Sequence, residues 1–409
     1  MRTIAVSGLI ALTAVFGAGA SLAVAGPAAA AAPGRASASP APDSELFGMS
    51  CASSKNCVAV GNNQNANDNR GGPLVQTWNG KSWKTVSVKL PAKAIAGELF
   101  SVSCPSANAC VAVGLWLNAS DTGFPLAEIW NGKAWAPTTM ATAPKGSTAQ
   151  FINSVSCAAA KSCVAVGEYV TFTGTTAIAE SWNGKTWTTS KPPVPAHSVV
   201  GDLNAVSCTS ATRCIAVGTS STNTGGFVLA DSWNGKSWAK MSVQPPASSK
   251  NDADLTGVSC SSATSCFAVG AGTATTGRPL GLTSFTERWN GKTWAAVKVS
   301  WPKGTSNSNL VGVSCRSATS CMTVGYVDIN ANDGGNTGRA AAASWNGKTW
   351  TATKVAAPAK GKASLFNSVS CLSTTTCLAA GQLSPFKSTE GSGLAGRWNG
   401  KSWSLVTTP

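Results

Sequence analysis

The chain has 409 residues, only 11% of them charged, and Lys plus Arg outnumber Asp plus Glu by 31 to 16, for a net charge of +15. That length allows two or three ordinary domains or one large repeat domain, and the basic balance favours anionic surfaces or polymers as partners. Gly, Ser, Thr and Val dominate, helix-period patterning is scarce, and beyond the first residues no apolar run approaches the about 18 residues of a membrane helix.

Residues 1–32 read as a secretory signal peptide. Arg2 supplies the positive start, Ile4 to Val24 is apolar and small, and Ala28 to Ala32 offers A-x-A cleavage sites. Residues 33–44, with the run "PGRASASPAPD", read as a flexible linker. No Cys lies near the cleavage site, so a lipid-anchored form is disfavoured, and the mature chain carries no transmembrane anchor. The expected location is secreted, extracellular or associated with a cell wall.

From residue 45 to 409 the chain repeats itself seven times. The first Cys of each unit is Cys51, Cys104, Cys157, Cys208, Cys260, Cys315 or Cys371, and its partner follows six positions later at Cys57, Cys110, Cys163, Cys214, Cys266, Cys321 or Cys377. Each unit reads roughly V-S-C-x5-C-x-A-V-G, then a variable stretch, then W-N-G-K-x-W. Four strand signals fit this pattern: one ends at the first Cys, one starts at the second, one runs into the first Trp and one leaves the second. Asn-Gly between strands predicts a two-residue type I′ turn. In blade 3 that places Trp182 opposite Lys185 and Glu180 opposite Trp187, with Trp182 and Trp187 diagonal on one face.

Such an indole plate needs a cover, and single units of about 50 residues are marginal alone. Seven copies placed radially cover one another. The prediction is an all-β, seven-bladed propeller of four-stranded antiparallel blades, at about 45–92, 98–141, 150–193, 202–245, 254–302, 309–357 and 364–409. Each blade is complete in sequence, so the ring should close without a borrowed strand. Fixed short Cys spacing in a secreted chain predicts one disulfide within each blade, 51–57 through 371–377. Zinc is disfavoured because each unit offers two thiols and no nearby His.

The pattern V-S-C…C-x-A-V-G…W-N-G-K-x-W resembles a group of secreted propeller-like repeat proteins of actinobacteria. The end of the motif, Gly184-Lys185-Thr186-Trp187, also resembles the Asp-box hairpin of sialidase-type propellers. In that motif, S-x-D-x-G-x-T-W, the Asp position is here Trp182 and the Ser position Glu180. The resemblance implies the hairpin and the propeller, and the Trp at the Asp position in every unit departs from the pattern.

Strand order puts the Cys-x5-Cys loops and the N-G-K turns on one face, nearly invariant, and the variable loops on the other. Ligands are expected on the variable face, because binding residues sit on loops held by a rigid scaffold. Candidate ligand contacts there are Trp116, Tyr169 and Tyr326 with Arg70, Arg278 and Arg339, while Phe124, Phe172 and Phe227 are further loop aromatics. Packing of the loops explains the rings equally well. "DINANDGG" makes Asp328, Asn330 and Asn332 a weak calcium candidate, since Asp333 and Arg339 depart from the calcium-loop pattern; no metal or other cofactor is expected. Seven lysines (Lys81, Lys133, Lys185, Lys236, Lys292, Lys348 and Lys401) form a basic rim on the invariant face.

No residue is assigned as catalytic. The single His197 has no local partner, and the acids read onto the variable face are few: Asp68, Asp121, Glu168, Asp328, Asp333 and Glu390. The leading reading is a monomeric, non-catalytic propeller that binds a cell-surface polymer, glycan or protein through its variable loops. The partner would be an anionic cell-wall polymer, a glycan or an extracellular protein, with nucleic acid disfavoured for want of a recognised module. The alternatives are a divergent, sialidase-like glycan-processing enzyme and a structural envelope protein. Carboxylates converging in the central funnel would favour the enzyme, and an aromatic, carboxylate-poor funnel would favour binding.

Overall fold

A computed structural model describes residues 43–64, 71–142, 144–222, 225–247, 251–274, 281–329, 338–358, 362–385 and 391–409. The signal peptide, nearly all of the linker, Arg70, Arg278, Asn330 and Asn332 lie outside the described residues, as do Asp68, Asp333 and Glu390. Seven antiparallel sheets follow one another along the chain, each with four strands in sequential order. In blade 3 they are Ala149–Ala159, Ser162–Thr171, Gly174–Trp182 and Trp187–Ser190.

The first strands of the seven blades contact one another in a closed circle around the axis. Ser44–Ser53 is the inner strand of blade 1, paired with its own blade, so no strand is exchanged between the termini. In blades 6 and 7 the preceding link adds a two-residue parallel edge strand, Val299–Ser300 beside Trp350 and Lys354–Val355 beside Trp403.

The repeated motif is one transverse row of each blade. In blade 3 Cys157 opposes Cys163, Cys163 opposes Trp182, and Trp182 opposes Trp187. All 14 cysteines form the seven local disulfides, and no cysteine is free. Each Trp pair packs ring to ring, with centroids 5.3 Å apart for Trp182 and Trp187. The plate then lies against the preceding blade: Trp345 and Trp350 of blade 6 meet Phe267 of blade 5, and Trp78 and Trp83 of blade 1 meet Leu378 and Ala380 of blade 7.

The turn itself differs from the sequence expectation. Trp182 faces Trp187 directly and Glu180 faces Thr189, across a four-residue loop. The reason is the Asn side chain. Asn183 Oδ1 accepts the amides of both Lys185 and Thr186, so Asn closes the turn through its side chain and needs no left-handed backbone. Only Gly184 has positive φ, at 93°. The same two bonds recur at Asn79, Asn131, Asn234, Asn290, Asn346 and Asn399.

The Ser of V-S-C explains how the circle shuts. Each such hydroxyl accepts the backbone N–H of the first Cys in the next blade, from Ser50 to Cys104 onward. The seventh bond, from Cys51 N–H to Ser370 Oγ at 3.0 Å, joins blade 7 to blade 1.

Candidate functional site

Every inner strand bulges at the same place, four residues before its first Cys. Opposite the bulge stands the Gly of C-x-A-V-G. A Cβ on Gly61, Gly114, Gly167, Gly218, Gly270, Gly325 or Gly381 would fall on the carbonyl oxygen of the residue six before that Cys. Glycine there lets the strands close over the bulge.

The residue whose carbonyl occupies that space is acidic in four blades: Glu45, Glu98, Asp202 and Asp254. Blade 3 has Phe151 instead and supplies its acid from the neighbouring strand, where Glu168 pairs with Phe151. Five consecutive blades therefore carry a carboxyl around the axis, at the variable-loop end of the inner strands. Amides hold several of them across the seams between blades. Asn367 Nδ2 donates to Glu45 Oε1 at 3.2 Å, Asn62 Nδ2 to Glu98 Oε1 at 3.2 Å, and Asn204 Nδ2 to Asp254 Oδ1 at 2.8 Å. The Thr219 amide donates to Asp202 Oδ1. Glu168 is fully buried, and neither of its oxygens has a hydrogen bond of good geometry.

Burial dominates their chemistry. It pushes Glu45 up to about 7, against the pull of Asn367, with the Glu98 charge adding to the rise. Glu98 is raised by the same cause, and Glu168 is pushed up to about 7. Asp202 is raised well above the carboxylate range, by burial first and then by the Glu168 and Asp254 charges. Asp254 reaches only about 6, because Asn204 and the Leu255 amide offset part of its burial. No Lys or Arg forms an ion pair with any of the five among the described residues. Glu45, Glu98 and Asp254 keep some accessible surface although protein encloses them, as groups lining a narrow mouth do.

Of the sequence candidates, Tyr326 reaches this circle. It stands where blade 3 has Glu168, next to Asn309 and Asp328, and burial raises its hydroxyl. Trp116 and Tyr169 lie one residue further along their strands and pack toward the preceding blade, Trp116 stacked on Phe124 at 4.5 Å. Arg339 is exposed at the start of the third strand of blade 6, paired with Val327. The four described candidates thus do not share one platform. Phe172 is 94% exposed at a variable hairpin tip. Asp328 Oδ2 accepts from Asn307, and no group of three or more His, Cys, Asp or Glu suited to a metal occurs among the described residues. His197 is exposed, in the Pro-rich link.

Sequence reasoning placed Glu168 on this face and missed the other four acids. The available signal was an acid at one fixed offset, six before Cys51, Cys104, Cys208 and Cys260.

The opposite face is a cationic disc. Gly80 of the N-G-K turn lies over Lys55 of the Cys-x5-Cys loop, and the other six blades repeat this contact between turn and loop. The seven turn lysines are exposed, as are Lys55, Lys161, Arg213 and Arg316, and no Asp or Glu lies in any of these loops or turns.

No protein-family profile matches the chain, and no curated protein is significantly similar to it. Solved propellers share the fold. A xyloglucanase from Xanthomonas campestris superposes with a TM-score of 0.55 at 11% identity, over 88% of this chain and 54% of the enzyme. This chain thus spans about half of the enzyme's length. The propeller domain of the Trilobed protease from Pyrococcus furiosus, described as having an open velcro topology, matches with a TM-score of 0.50 at 9% identity, over 89% and 95% of the two chains. These likenesses define the class, a seven-bladed β-propeller.

Proposed function

We propose that this chain is an extracellular glycan-binding propeller whose ligand sits at the axial mouth on the variable-loop face. The observation that carries this is the arc of five carboxyls contributed by blades 1 to 5, three of them held by Asn side chains. Neutral or half-titrated carboxyls both donate and accept hydrogen bonds, which suits the hydroxyls of a sugar. Seven disulfides fit an oxidising, extracellular location, and no helix among the described residues is long and apolar enough to cross a membrane. The cationic disc offers a separate attachment surface for an anionic wall polymer.

Converging carboxyls also favour the enzyme reading, and one pair gives it specific support. Burial and the Glu168 and Asp254 charges raise Asp202 well above its ordinary range while its neighbour Asp254 reaches about 6, and a glycosidase needs two carboxyls whose acidities differ in this sense. Against it, all five acids are pushed in the same direction. A glycan and cell-wall polymer binding array at two salt concentrations, run alongside a glycoside hydrolysis panel, tests the order. Salt-insensitive glycan binding that E98Q and D254N both weaken supports the leading reading. Turnover lost in D202N and D254N reverses it. A blank in every arm leaves a structural envelope protein.

A further inference from the structure

At the rim, a crevice of about 650 Å³ separates blades 4 and 5. Trp289 and Trp294 line it and remain partly exposed, unlike Trp182 and Trp187 in blade 3, which are buried. Glu287 also lines it. This carboxyl is 1% exposed, its Oε1 has no partner, and the Trp294 indole N–H has none either. Buried orphan groups of this kind are costly and uncommon.

Blade 3 shows one way of closing this position, whereas Glu128 of blade 2 and Asp231 of blade 4 are fully buried there with neither oxygen partnered. Glu180 there accepts from Gln150 Nε2 at 2.9 Å and from the Ala141 amide at 3.0 Å. Met140, from the preceding link, packs beside Trp182 and Trp187. Blade 5 has lost these parts at matching offsets. Ala253 stands where blade 3 has Gln150, and Val243 stands where the link before blade 3 has Met140. Trp238 and Trp403 donate to Ser190 and Thr353, each three past the second Trp of the blade before, but the residue three past Trp238 is Met241. The smaller Val243 and Ala253 account for the open space and for the bare Glu287 oxygen, whereas the indole N–H of Trp187 has no partner even in blade 3.

We infer that this crevice is a second ligand site, for a single pyranose ring. The indole faces offer an apolar surface to the C–H side of a sugar, while Glu287 and the Trp294 N–H face its hydroxyls. Lys240 and Arg213 line the crevice and add donors. The site is independent of the axial mouth.

The test is titration of the full chain with methyl glycosides of glucose, galactose, mannose, fucose and N-acetylglucosamine, followed by indole fluorescence and saturation-transfer NMR. At least one should bind saturably. Glu287→Gln, nearly isosteric, should weaken it about tenfold. The double variant Val243→Met with Ala253→Gln rebuilds the blade 3 closure and should abolish binding while leaving the melting temperature at or above that of the parent. E98Q, at the axial mouth, should leave this binding unchanged, which separates failure here from failure of the axial reading. No saturable binding by any of the five glycosides overturns the proposal, as does unaltered binding in the folded double variant.

Discussion

Around the axis, seven serines make the same bond to seven successive Cys amides. At the rim, seven Trp pairs are covered unequally, from Trp403 at 1% exposure to Trp83 and Trp294, which stay partly open. The inner bond depends on strand spacing alone, which every blade shares. Indole cover depends on side chains from the links, and those differ: edge strands shield Trp350 and Trp403, whereas the link from Lys240 to Pro246 adds none. Uniform backbone geometry therefore builds the scaffold, and local departures from the repeat leave the rim unevenly covered.

That contrast can be broken most sharply at the inner bulge. Gly114→Ala puts a methyl group on the Glu98 carbonyl oxygen and should cost about 3–4 kcal/mol or prevent folding, read by denaturant unfolding. Gly146→Ala, at an open link position where only positive φ opposes it, should cost about 1 kcal/mol.

Acidity should act on the inner circle next. A carboxyl whose folded pKa is raised binds its proton more tightly in the fold than in the unfolded chain. Its stabilising effect is complete below about 4.5 and is lost as pH rises through about 7. Glu45 alone is then worth about 3 kcal/mol between pH 4 and pH 8. The melting temperature should fall over that interval, and Glu45→Gln should flatten the profile. A profile rising toward pH 8 would contradict the enclosure of these acids.

Replacing Cys157 and Cys163 together by Ala should cost about 2 kcal/mol, the value of a short loop closure. Ser370→Ala removes the bond that shuts the ring and should cost about 1 kcal/mol, with Ser156→Ala costing the same. Equal losses at these two sites would show that the closing seam is no weaker than the others. Lys185→Gln should leave stability unchanged while lowering retention on an anionic polymer at low salt, since exposed charges act through screened, long-range attraction.

Much of the fold was legible because the cysteines and tryptophans recur at fixed offsets and lie in one row across the blade. The turn was misread because Asn-Gly signals a left-handed pair, and only the finished loop reveals Asn183 acting through its side chain. The acids at Glu45, Glu98, Asp202 and Asp254 escaped notice because each looks like an ordinary polar residue at the start of a strand. Their offset acquires meaning only when a bulge and a glycine set the five blades' carboxyls around one axis.

By itself, the order of residues determined the seven copies, their disulfides and the indole plate that each must hide, since all of these follow from local spacing and apolar burial. Which carboxyls face one another and which plate stays uncovered was decided by the tertiary structure. Both depend on contacts between blades whose residues lie about fifty positions apart, or at opposite ends of the chain where the ring shuts.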